Sequence, residues 1–161
     1  MQGLAIEIAQ IVLISAQAAW LSMGALDNLR YPAINRDDVG RVLRLDTLAE
    51  HEPKYYEMMA WRRIHSPRTV RVVFALIVAA ECVVSLALWF AGLGLLLAAT
   101  GVIGHDLASG FAILAVLGFI MIWTAFLIGG QWFQYWHGNH GQMTHFLTAL
   151  WGIGTLIIVA M

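Results

Sequence analysis

From Val72 to Met161 the chain carries no basic residue and only two acids, Glu81 and Asp106. Glu81 lies inside a long apolar run, where an ionised carboxylate is costly and must face protein or water. The first apolar run offers it polar company. Gln10 and Gln17 fall on one helical face with Glu7 nearby, because seven residues nearly complete two turns. If that run is centred near Ser15 and the second near Val84, Gln17 and Glu81 stand at one depth. The spacing predicts a Gln17–Glu81 hydrogen bond, with Glu81 uncharged because desolvation favours the neutral acid. Two roles follow for Glu81, Gln17, Gln10 and Glu7. They form a proton relay or ligand contact, or a buried polar clamp that sets helix register.

A second group is His137, His140 and His145, of which the first two form an H-x-x-H. Imidazole suits zinc, copper or iron, but a structural site takes three or four ligands. No cysteine is near and no acid follows Asp106, so further ligands would have to come from the 30–71 segment. The run from Gln131 to His137 reads more simply as an interfacial segment of amphipathic rings. No metal is expected. Haem needs axial ligands inside a bundle, and none of the six histidines lies deep in an apolar run. No cofactor is expected either. A rim pocket for a quinone or lipid headgroup is the remaining ligand reading, lined by Trp132, Trp136, His137, His140 and His145 with Arg62 and Arg63. There is no phosphate loop after Gly92-Leu93-Gly94 and no nucleophile elbow, so enzyme chemistry has no motif here.

These side chains need elements to hold them. Four stretches, at about 4–26, 72–98, 107–130 and 143–161, are apolar enough to cross a bilayer, which takes about 20 residues for roughly 30 Å of hydrocarbon. None alternates at period two, so strands are a poor alternative. Apolar residues make up 60% of the 161 and charged ones 12%, with a mean hydropathy of +0.74. A soluble domain carries about a quarter charged residues, so the composition excludes a soluble globule, a nucleic-acid binder and a disordered tail. The expected fold is all-α: a polytopic four-helix membrane bundle forming one transmembrane domain, with a charged loop over residues 27–71.

The nine Lys and Arg all lie between Arg30 and Arg71. Basic residues mark the cytoplasmic side, which places the loop there and both termini outside. The first run lacks a basic n-region and reads as an uncleaved span. Cys82 is the single cysteine, so no intramolecular disulfide forms. Within the loop, Asn35 before Arg36-Asp37-Asp38 predicts a capped helix start, and Val39, Val42, Leu43 and Leu45 give that helix an apolar side. Pro53 opens a second helix expected to reach about Ile64, with an aromatic, Met-rich surface suited to headgroups. Ser66-Pro67 reads as cap and first residue of the second span. Tyr31, Tyr55, Tyr56, Trp61, Trp132, Tyr135 and Trp136 all fall near the cytoplasmic boundary, giving a one-sided aromatic belt. Small residues at packing spacing recur at Ser15/Ala19, Ala18/Ser22, Ala75/Ala79, Ala87/Ala91 and Thr148/Gly152.

Several local runs also resemble a family. These are Leu21 to Leu29 (Leu-Ser-Met-Gly-Ala-Leu-Asp-Asn-Leu), Asn35-Arg36, Trp61-Arg62-Arg63-Ile64, Ser66-Pro67, Glu81 and Gly129-Gly130-Gln131-Trp132-Phe133. Together they are similar to a bacterial family of predicted small integral membrane proteins, the domain-of-unknown-function 2165 type. The resemblance implies four spanning helices in a bacterial inner membrane and carries over no catalytic residue. Gln131 stands where that family usually has an acid.

The expected function is a non-catalytic inner-membrane protein, an accessory or assembly subunit docked to a membrane-protein partner or to a second copy. The alternative is a quinone, lipid or proton handler centred on Glu81.

Overall fold

A computed structural model describes residues 2–137 and 141–161 of the chain. Four long helices, α1 (Gln2–Arg30), α5 (Pro67–Ala99), α6 (His105–Trp132) and α7 (Gly141–Val159), are long and apolar enough to cross a membrane. Between α1 and α5 lie α2 (Pro32–Leu43), α3 (Asp46–His51), α4 (Pro53–Met59) and a 3-10 turn, Ala60–Arg62. A second 3-10 turn, Tyr135–His137, follows α6. The all-α bundle is as expected. The 27–71 segment is more subdivided than the one or two helices expected.

Local chemistry explains the boundaries. The Ser66 hydroxyl accepts from the Thr69 N–H at 3.2 Å and Pro67 supplies the first residue, so α5 starts where its cap and proline dictate. Its end is a Schellman motif: Gly101 takes φ +76°, its N–H bonds the Ala98 carbonyl, and the Val102 N–H bonds that of Leu97. By contrast, α2 starts at Pro32 and not at Asn35. The proline presets the first turn, and the Asn35 side chain bonds Asn28 instead of capping. The second loop helix stops at Met59, short of Ile64, and the Ile64 N–H bonds the Leu43 carbonyl at 2.8 Å. Leu45 turns the chain from α2 into α3 at φ 60°, a conformation costing about 1–2 kcal/mol. Its side chain is 1% exposed, and the Arg44–Asp46 ion pair at 2.6 Å brackets the turn.

The spanning helices pack in a ring: α1 on α5, α5 on α6, α6 on α7, with α7 closing back on α1. Small residues set the approaches. A Cβ at Gly92 would lie 3.2 Å from the Ser15 hydroxyl, and one at Gly152 would lie 2.5 Å from Ile120 Cγ1. The Ser22 and Ser85 hydroxyls are 2.6 Å apart, tying α1 to α5 lower down. Ile14, Ala18, Leu88, Ala112, Val116 and Phe119 are fully buried. Leu76, Val83 and Phe90, seven apart on α5, all face outward. This is the inside-out polarity a bilayer demands, with polar groups inward and large apolar side chains toward lipid.

Candidate functional site

The site forms where α1 ends. The Asn28 side-chain N–H donates to the Glu81 carboxyl at 2.7 Å, and the Asn35 side-chain N–H donates to the Asn28 side-chain oxygen Oδ1 at 2.6 Å. Asn28 and Glu81 are both buried. Three elements, α5, α1 and α2, are thus joined by one chain of hydrogen bonds.

The expected Gln17–Glu81 bond does not form. The antiparallel register sets Ser15 against Gly92 and Ser22 against Ser85, which carries Glu81 down to Asn28. Gln17 lies three turns higher on α1, about 16 Å away along the axis. Matching the span centres misplaces Glu81 because the two helices are not aligned at their middles: with Ser22 against Ser85, the first turns of α5 run past the end of α1, and Glu81 falls level with the last turns of α1. Gln17 instead donates to the Thr155 hydroxyl at 2.9 Å, and Gln10 to the Ile158 carbonyl at 3.0 Å. Both glutamines therefore serve the α1–α7 seam. Glu7, half-buried near the start of α1, makes no hydrogen bond or ion pair among the described residues.

A family model described as predicted small integral membrane protein (DUF2165) matches residues 6–161. The chain belongs to that family. Neither a curated protein nor a solved structure matches it.

In this small integral membrane protein the expected rim pocket is divided into separate contacts. Arg62 sits between two indoles, 4.4 Å from the Trp132 ring centre and 5.1 Å from that of Trp61, and donates to the Trp132 carbonyl at 3.2 Å. Arg63 turns away to the Tyr56 hydroxyl, 2.6 Å off. The Trp136 and His137 rings lie 5.6 Å apart at a tilt of 34°. His145 points into the bundle against Phe126, Trp123 and Tyr135, and its Nδ1 is 3.2 Å from the Tyr135 hydroxyl. His140 lies outside the described residues. Among those described, no three His, Cys, Asp or Glu side chains converge on a metal position.

Tyr135 also leaves the aromatic belt. It is 4% exposed, and a Cβ at Gly130 would overlap its ring, so the glycine makes room for it. Burial pushes its phenol above the usual 10.

Asn28, Asn35 and Thr155 were missed by residue-type reasoning. A signal for Asn28 was present: it lies eighteen residues, five whole turns, from Gln10 and continues the same polar stripe. Asn35 and Thr155 had no such signal, since both are defined by a partner on another helix.

Proposed function

We propose that this family member is a non-catalytic subunit of a bacterial inner membrane, with its 31–66 platform in the cytoplasm and both termini outside. It acts as an accessory or assembly partner for a larger membrane complex. The observation that carries this reading is the use made of Glu81. Its carboxyl closes onto Asn28, and through it onto Asn35, so the one acid of the second span is bound up as a clamp. Side-chain amides do not take up and release protons as hydroxyls, carboxyls and imidazoles do, so this chain argues for a fastening over a proton path. The platform is tied to the spans by Asn35 to Asn28 and by Arg62 to Trp132, and it is closed on itself by Ile64 to Leu43. It holds out Tyr55, Met58 and Trp61, residue types that anchor protein contacts and headgroups alike.

Purification from mild detergent at native expression, followed by mass spectrometry, tests the proposal. A stoichiometric membrane-protein partner or a discrete homo-oligomer is the expected result. A monomer with no retained protein overturns it.

A further inference from the structure

A cleft of about 570 Å³ opens between α2 and the first turns of α5. Pockets of this order hold small ligands. Its charged lining is four arginines, Arg36, Arg41, Arg44 and Arg71, against the single acid Asp37, with His65 beside them. Two of the guanidiniums are held in place from behind. Asp46 takes Arg44 Nε and Nη2 at 2.9 and 2.6 Å, and Glu50 takes Arg41 Nη2 with both oxygens. Arg44 Nη1 is left over the floor of the cleft, 2.8 Å from where a Cβ at Gly40 would stand, so the glycine leaves it room. Arg36 Nε lies 3.7 Å from the Asp37 carboxylate, a looser pairing, whereas Arg71 and His65 make no hydrogen bond or ion pair among the described residues. Such a set of fixed and unpaired donors matches the oxygens of a phosphate group.

The surroundings identify what carries the phosphate. Gly118 abuts Val84 and Gly94 abuts Ala108, a register that brings Arg71 level with Gln131 and Trp132 at the end of α6. Trp132 belongs to the aromatic group around Arg62, the kind of belt that marks the headgroup layer. No basic residue follows Arg71. Ala75 and Ala79 continue its row at four-residue steps and are exposed, leaving a shallow strip beside Leu76 directly toward the apolar layer. A free anion has no use for that strip, whereas an acyl chain fits it.

We propose that the cleft binds the headgroup phosphate of an anionic phospholipid, with one acyl chain lying along the Ala75–Ala79 row. The net positive lining selects an anionic headgroup over a zwitterionic one.

The purified full chain can be tested with short-chain phosphatidylglycerol, short-chain phosphatidylcholine and inorganic phosphate, read by native mass spectrometry and thermal melting. Phosphatidylglycerol should bind on the order of tenfold tighter than phosphatidylcholine and raise the melting temperature. Arg36→Ala combined with Arg71→Ala should abolish that preference. Should the double variant fail to fold, Ala75→Phe decides: it fills the exposed strip and should weaken phosphatidylglycerol binding while melting without lipid stays unchanged. Equal binding of the two lipids, or an undiminished preference in the variants, overturns the proposal. Inorganic phosphate that matches phosphatidylglycerol at equal concentration overturns the lipid as its source.

Discussion

Asn28 and Glu81 meet across 2.7 Å at the loop end of α1, although they are 53 residues apart in the chain. Each is the other's means of being buried, because a polar side chain without a partner in this setting would go unsatisfied. The pair also fixes the register of α1 against α5, and Asn35 extends it to α2.

Truncating one partner should cost more than removing both. Asn28→Leu or Glu81→Leu alone is expected to lower stability by about 1–3 kcal/mol, since each strands a buried polar group. The Asn28→Leu/Glu81→Leu double variant should recover part of that loss. Equilibrium unfolding in mixed detergent gives the double-mutant cycle, with a coupling of about 1 kcal/mol expected. A coupling of zero would remove the hydrogen bond from the account.

Glu81→Gln should behave differently. The glutamine carbonyl still accepts from Asn28, so folding and melting should stay within about 1 kcal/mol of the parent. If partner recovery is also unchanged, Glu81 acts as a clamp; loss of function in a folded Glu81→Gln protein would restore the relay reading.

Gly130→Ala should destabilise the turn after α6 by about 1–3 kcal/mol, because the added methyl overlaps the Tyr135 ring. The same substitution in a Tyr135→Ala background should have little effect. Thermal melting of the four proteins reads the difference directly.

Alkaline pH should act through Tyr135. Its folded phenol titrates above the ordinary 10, so the folded state holds the proton more tightly than the unfolded one. This contribution to stability is fully present below the unfolded pKa and is lost as pH rises through the folded one. Melting temperature measured upward from pH 9 should therefore fall, and Tyr135→Phe should flatten that dependence. An identical slope in the phenylalanine variant would assign the effect elsewhere.

Arg62→Ala should loosen the platform, since one guanidinium serves two indoles and a carbonyl. A cation–π contact contributes about 0.5–2 kcal/mol, so the expected result is faster proteolysis between α4 and α5 with the spans intact. An unaltered digestion pattern would show that the platform is held without it.

Topology is open to direct labelling. In a Cys82→Ala background, a cysteine placed at Lys54 should react only from the cytoplasmic face and one at Gln2 only from outside. The reverse pattern would invert the proposed orientation.

Much of the architecture is legible along the chain because a bilayer imposes one-dimensional rules. Apolar runs of sufficient length announced α1, α5, α6 and α7, and Ser66-Pro67 announced where α5 starts, since capping involves only neighbours. The interior of the loop was less legible. Asn35 has the residue type of a cap, yet Pro32 three residues earlier took the helix start and Asn28 took the side chain.

By itself, the sequence determined that the chain is helical, that four segments cross the bilayer and that Glu81 must be shielded inside protein. Those conclusions depend on hydropathy and local backbone chemistry, which each segment carries alone. Which partner shields Glu81 was decided only by the tertiary structure. Helix register comes from the fit of side chains such as Ser15 against Gly92 and Ser22 against Ser85, and a slide of a few residues exchanges one polar neighbour for another. Four-residue steps along α2 already align Arg36 with Arg44, but only the packing of α2 on α5 brings Arg71 to the same cleft.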